Sequence, residues 1–448
     1  MLREHSRRTS MRRFWSDRKG NVAVLFAFAI VPVIGAMGAA VDYSLANSYR
    51  TDMQKALDST ALALSKILPT DEATMNKVGM EYFLASLGNH TMADLNLEIT
   101  PEVGKVNLRA TGNYSPKIAN LLGVTHFPIG ANAEATWGLG KVEVVLALDN
   151  TGSMAGQKIV KLKQGAQKLV DILKNAARQA GDAKIGIVPY TVQVKVDPVA
   201  FAAATWWRDG FCSNSRYKTK KDCEKQNGTW MSTNSASWTG CIADRDQKNS
   251  SNNWINHDVK DTEPDANSDT KFPRAPANSN RCPAATILPL TDVHTTSGYN
   301  AVTNKISTMQ AVGNTNVTMG AVWGWHLLDN KAPFPEGKPY NTKDVQKYLI
   351  LMTDGLNTES RYSNSQSAIN DRTEEACDSI KALPQNTAND PPTPAIKVWS
   401  IRLVDGNQTL LRNCATNTSM YMNVTDPNQL DGVFGAIGTE IANLHLSK

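Results

Sequence analysis

Charge of one sign is scarce in this sequence. Across 448 residues Lys and Arg number 47 and Asp and Glu 42, a formal excess of five. The first twenty residues hold all of that excess, seven basic side chains (Arg3, Arg7, Arg8, Arg12, Arg13, Arg18, Lys19) against Glu4 and Asp17. The remainder is neutral, so no overall field draws the chain to nucleic acid. Catalytic signatures are missing too: there is no G-x-S-x-G elbow, no Walker A run and no H-E-x-x-H. The seven histidines are scattered, and His326, among Trp323, Trp325 and Leu327, fits packing better than catalysis. With 29 Gly and 20 Pro the chain is not collagen-like, and no internal repeat is evident. None of the six cysteines forms a C-x-x-C, which argues against a zinc ribbon or a thioredoxin-like site. What remains is an ordinary globular mixture, 41% hydrophobic and 20% charged. At about 150 residues per domain it is material for roughly three domains.

The local signals begin at the N-terminus. Val22 to Val41 carries no charge. A helix of that length spans roughly 30 Å, one hydrocarbon core. Pro32, Gly35 and Gly38 lie inside it, as membrane helices tolerate. The basic flank belongs on the cytoplasmic side. Residues 1–20 therefore read as a cytoplasmic tail and 21–41 as a single transmembrane helix, with all that follows exported. A cleaved signal peptide competes, since Ala36 and Gly38 are small, but its apolar core usually runs ~7–15 residues. Beyond the span, Met53, Leu57, Ala61, Leu64 and Leu68 form one apolar stripe, so the helix continues as an amphipathic stalk. Pro69 stops it, and Thr70 or Asp71 can cap the next helix over 70–90.

Period two then takes over. Leu95, Leu97 and Ile99 alternate, Val106, Leu108 and Ala110 follow the turn Pro101–Lys105, and a third run ends at Ala135 and Trp137. Residues 42–139 thus form a helical stalk with a small β-sheet, bounded near Gly138–Gly140. From 140 to 446 strands alternate with helices. Strands are expected at Val142–Leu148, Ala183–Val188, Tyr348–Met352, Ile396–Leu403 and Met420–Val424, and helices at Ala155–Ala180 and around 298–310, 318–328, 371–383 and 427–446. That alternation predicts an α/β fold, an open parallel sheet covered on both faces. Residues 206–285 break the pattern with Asn, Ser, Lys, Asp, five tryptophans (206, 207, 230, 238, 254) and four cysteines. They read as a disulfide-tied insertion in which bonds substitute for a core. Two bonds are expected among Cys212, Cys223, Cys241 and Cys282, with the pairing open, and one between Cys377 and Cys414.

Chemistry gathers at strand ends. Val142–Leu148 runs into Asp149-Asn150-Thr151-Gly152-Ser153, and Tyr348–Met352 into Thr353-Asp354-Gly355. Gly313-Asn314-Thr315-Asn316 precedes a helix at Val317 or Thr318. Open α/β sheets place ligands at this carboxyl edge. Asp149, Thr151, Ser153, Thr315 and Asp354 make an all-oxygen set suited to a hard divalent ion, Mg²⁺ first and Mn²⁺ or Ca²⁺ as alternatives. A partner's Asp or Glu can complete such a shell. A hydrolase would also need a base and a closed substrate pocket, and nothing here supplies either.

These residues resemble the metal-ion-dependent adhesion site (MIDAS) of von Willebrand factor A (VWA) domains, whose pattern is Asp-x-Ser/Thr-x-Ser, a Thr in a Gly-rich loop and a later Asp-Gly. The resemblance places Ser153, Thr151 and Thr315 near the ion, with Asp149 and Asp354 direct or through water. Asn314 stands where that family often has Gly, and Asn tolerates left-handed angles. The N-terminal run Arg18-Lys19-Gly20-Asn21-Val22-Ala23-Val24-Leu25-Phe26-Ala27, with Val41-Asp42 beyond the span, resembles the TadE/TadG-like segment of Flp (tight-adherence, Tad) pilus assembly proteins. Glu375-Ala376-Cys377, Leu411-Arg412-Asn413-Cys414 and a terminal helix Ile437–Leu446 are similar to the TadG type, which joins such an anchor to an exported VWA domain. Leu25 stands where pilin-type precursors usually carry Glu, which favours a retained anchor. The resemblance implies a non-enzymatic, single-pass inner-membrane protein with a periplasmic VWA domain that binds other Tad components. The alternatives are a surface adhesin for host or neighbour-cell ligands, and a metal-dependent hydrolase.

Overall fold

The apolar stretch is part of one uninterrupted helix, α1 (Asn21–Lys66), with Pro32 inside it. The computed structural model describes residues 21–66, 72–88, 92–102, 105–136, 141–214, 217, 219–231, 238–247, 255–267, 270–277 and 280–443. The basic tail, Pro69 with its neighbouring cap, the boundary at 137–140, Trp254 and the last residues of the terminal helix lie outside that set. The chain divides into two compact units, Met1–Trp137 and Gly138–Lys448.

In the first unit, the early part of α1 exposes Leu25, Phe26, Phe28, Val31 and Ile34. Among the described residues it is the one helix long and apolar enough to cross a membrane. The later part buries Met53, Leu57, Ala61 and Leu64, the stripe expected from the sequence. They pack with Met75 and Phe83 of α2 (Glu72–Leu87). Ile99, Leu108 and Ile129 complete that core from an antiparallel sheet of β1 (Ala93–Glu102), β2 (Lys105–Tyr114) and β3 (Phe127–Thr136).

The second unit is built on six strands: β4 (Lys141–Asp149), β5 (Ala183–Tyr190), β6 (Leu288–Asp292), β7 (Val345–Thr353), β8 (Ile396–Leu403) and β9 (Tyr421–Val424). Their order across the sheet is β6-β5-β4-β7-β8-β9. All neighbours are parallel except β6, which runs antiparallel to β5. This is a doubly wound, mostly parallel sheet. The edge strand β6 escapes the sequence because it is short, half-buried and carries Pro289. β4 and β7 are buried almost throughout, which is why they read as continuous apolar runs. At the edge opposite the candidate site, Lys347 pairs with Glu143 at 2.5 Å, both buried and directly opposite in register. A slip by one residue would leave both charges unpaired.

One sheet face is covered by α3 (Gln157–Ala176), α4 (Thr296–Thr308) and α8 (Leu430–Asn443), through Leu162, Leu169, Val302, Phe434 and Ile437. The other carries α5 (Val317–Leu328), α6 (Gln366–Lys381) and α7 (Gln408–Cys414). The insertion joins this second face. Trp206, Trp207, Trp238, Ile242 and Phe272 pack with Trp323 of α5 in the same core. The expectation that bonds substitute for a core there is therefore corrected: aromatic burial supplies one. The disulfides add to it, as Cys212–Cys223 and Cys241–Cys282 within the insertion and Cys377–Cys414 between α6 and α7.

Candidate metal centre

β4 and β7 lie side by side, and the chain leaves them toward opposite directions of the sheet. That reversal opens a crevice at their carboxyl ends. The loop after β4 and the Asp354 loop after β7 both enter it. Asp149 is fully buried; one carboxylate oxygen accepts the Thr151 N–H at 2.8 Å and the other the Thr353 hydroxyl at 2.6 Å. The Thr151 and Ser153 hydroxyls are 3.0 Å apart, and Ser153 donates to Oδ1 of Asp354 at 2.6 Å. Four of the five expected residues thus form one hydrogen-bonded chain. Thr315 arrives from the loop before α5, held by its N–H on the Thr358 hydroxyl at 2.9 Å.

Gly355 tests whether this cluster can hold an ion. A Cβ on it would sit 3.3 Å from Oγ of Ser153 and 3.8 Å from Oγ1 of Thr315. The missing side chain leaves a small oxygen-lined space between the three loops. Asp149, Thr151, Thr315 and Asp354 are buried around it, while Ser153 is exposed and opens it to solvent. The residues therefore fit a small hard cation. Burial raises the Asp149 carboxyl to about 6, and the nearby charge of Asp354 adds to the rise. The bonds from Thr151 and Thr353 oppose it only in part.

Three neighbours carry no signal in the motif. Thr353 orients Asp149. Lys158, in the first turn of α3, places its ammonium 2.7 Å from Oδ2 of Asp354 and 3.8 Å from Asp405. Only the fold brings Lys158 and Asp354 together across the sequence. Glu359 ties down the Thr315 loop through Asn314 at 2.5 Å and through Arg281. The left-handed residue of that loop is Gly313, at φ 73°, not Asn314. Asn314 is there for its amide.

The insertion braces the same loops. The Asn314 N–H donates to the Asn280 carbonyl at 3.1 Å. Asn316 and the Arg361 N–H both reach Asp244, at 3.2 Å each. Arg372 of α6 bridges Asp244 and Asp258 at 3.2 and 3.0 Å, and Arg245 also holds Asp258, at 2.6 Å. Burial alone would raise Asp258, but Arg245 and Arg372 outweigh it and keep the carboxyl below its ordinary range. His326 is buried edge-on to Phe272 and Trp323 and sits 2.7 Å from Asp261.

Residues 20–64 match the family model described as Flp pilus-assembly TadE/G-like. No curated protein matches the chain. Among solved structures it is similar to the pilus adhesin SpaC from Lactobacillus rhamnosus GG, at 9% identity over 78% of this chain and 34% of that one, TM-score 0.38. A von Willebrand factor type A structure from Catenulispora acidiphila is 13% identical over 79% of this chain and 51% of its own, TM-score 0.35. The vWF domain of the type V pili tip protein Mfa5 from Porphyromonas gingivalis is 11% identical over 69% of this chain and 97% of its own, TM-score 0.35. The chain spans about a third of the first of these and about half of the second.

Proposed function

We propose that this protein is a membrane-anchored, non-enzymatic binding protein of Tad pilus assembly. In this reading α1 crosses the inner membrane once, with the basic N-terminus cytoplasmic and the VWA unit periplasmic. The match of residues 20–64 supports the pilus context. The observation that carries the binding role is the oxygen cluster at the crevice between β4 and β7, open to solvent at Ser153. Asp149, Thr151, Ser153, Thr315 and Asp354 would hold a divalent ion there, Mg²⁺ by preference. When bound, the ion would supply a Lewis-acidic position for a carboxylate of a partner protein. The chain's own part is positional. Thr353 and the Thr151 N–H fix Asp149, Ser153 fixes Asp354, and the insertion holds the Thr315 loop. His326, the buried histidine, is engaged by Asp261 and ring packing, which supports a role outside catalysis.

The test uses the full oxidised chain, solubilised in detergent, as bait in envelope extract. Mg²⁺ and chelator are run side by side, with Asp354→Ala as control and mass spectrometry of the bound proteins. Pilus-assembly proteins held only with metal, and lost in Asp354→Ala, are the expected result. The same proteins held despite chelator would discard the metal mechanism and keep the pilus role. Capture only of host or neighbouring-cell surface ligands would favour an adhesin. Turnover of an ester or phosphoester lost in Asp354→Ala would favour a hydrolase.

A further inference from the structure

One loop of the first unit returns to α1 at the level where its apolar stretch ends. Residues 115–126 join β2 to β3, and their middle forms a short 3-10 turn, Ala119–Leu122. The turn is fastened to α1 at two places. Asp42, the first charged residue after the stretch, is buried and accepts the N–H groups of Lys117, Ile118 and Ala119 at 3.1, 2.7 and 2.6 Å. One helical turn earlier the loop meets Gly38. A Cβ there would lie 2.1 Å from Cγ2 of Ile118, so only glycine admits this contact. The loop thus reaches back past Asp42, by about 6 Å, the rise of four helical residues.

Three of its exposed side chains are apolar, beside exposed Lys117 and Asn120. Leu121 is 84% exposed, Val124 39% and Ile118 37%. Turns in water favour Gly, Asn, Asp, Ser and Pro, whereas this one reads Ile-Ala-Asn-Leu-Leu-Gly-Val. Met37 and Val41 of α1 are exposed at the same level, so the patch is continuous with the exposed apolar surface of the helix. Irregular backbone in hydrocarbon must have its polar groups satisfied. Here Asp42 takes three N–H groups, and those of Leu121, Gly123 and Val124 bond to Ile118, Asn120 and Ala119 within the turn. The carboxylate of Asp42 is met by the same donors, as an acid at the edge of a bilayer requires. Tyr43, beside it and exposed, suits the headgroup level.

We propose that residues 117–124 form a second membrane contact, seated in the leaflet on the exported side with Leu121 among the acyl chains. The proposal rests on reading α1 as the anchor. It fixes the height and rotation of the first unit on the bilayer, where a lone helix would leave both free.

The six native cysteines are paired in disulfides, so one added thiol labels uniquely. Leu121→Cys and Ile30→Cys variants of the full chain would each carry an NBD fluorophore in phosphatidylethanolamine–phosphatidylglycerol vesicles. Lipids bearing a nitroxide near the headgroup or deep in the chain serve as quenchers. The expected result is blue-shifted emission at both sites, with Leu121 quenched at least twofold more by the shallow nitroxide and Ile30 by the deep one. Water-like, unquenched emission at 121 with quenching at 30 overturns the loop contact and leaves the anchor. No quenching at either site overturns both. If Leu121→Cys fails to fold, exposed Asn120→Cys gives the same readout.

Discussion

Two carboxylates and one ammonium dominate the candidate centre. Asp149 lies above its unfolded value, so its protonated form is the one the metal-free fold prefers. Its contribution to stability is fully present below about pH 4 and is lost as pH rises through about 6. The metal-free protein should therefore lose stability between about pH 4 and 6 relative to Asp149→Asn, by thermal melts of both. A metal needs the ionised carboxylate, so Mg²⁺ affinity should fall by up to about tenfold per pH unit below about 6 in calorimetric titration. Lys158 makes the opposite kind of contribution. Its ammonium neutralises Asp354 in the folded chain and competes with any cation that binds there. Lys158→Met should cost about 2 kcal/mol of metal-free stability, since it strands a buried carboxylate. The same change should tighten Mg²⁺ binding by on the order of tenfold. A drop in both quantities would refute the competition.

At the scale of elements, Gly313 is where the Thr315 loop meets the insertion. Its φ is 73°, and a Cβ would lie 2.2 Å from the Asn280 carbonyl. Gly313→Ala should cost on the order of 2 kcal/mol or more and weaken Mg²⁺ binding through Thr315. Unchanged melting and titration would show that the contact is slack. The same loop marks what the sequence could and could not disclose. Asp149, Thr151, Ser153 and Asp354 were legible because each stands at a fixed step from an apolar strand end. Thr315 was legible because its loop opens a helix. Lys158 and Glu359 were not, since each joins the centre through contacts between distant segments that no local period encodes. The strands β4, β5, β7, β8 and β9 were legible as apolar runs. β6 was not, because an antiparallel edge strand needs no such run, and α7 is too short to show a helical period.

Over the whole molecule, the buried ionic cluster links the insertion to the sheet's helices. Arg372 belongs to α6, while Asp244 and Asp258 belong to the insertion. Arg372→Leu would leave buried Asp244 without its main counter-charge and Asp258 with Arg245 alone. The expected loss is about 3–5 kcal/mol, with one cooperative melting transition retained. Separate early melting of the insertion, seen by near-UV circular dichroism of its tryptophans, would mean that the cluster is the main tie between the two. The cluster also bears on descent and on engineering. A scaffold that shed residues 206–285 would keep Arg372 and Asn316 without Asp244 and would open to water the apolar face that the insertion covers. An insertion grafted onto another sheet would bring Asp244 without its cation, Arg372. The two pieces of sequence must therefore be inherited, or exchanged, together.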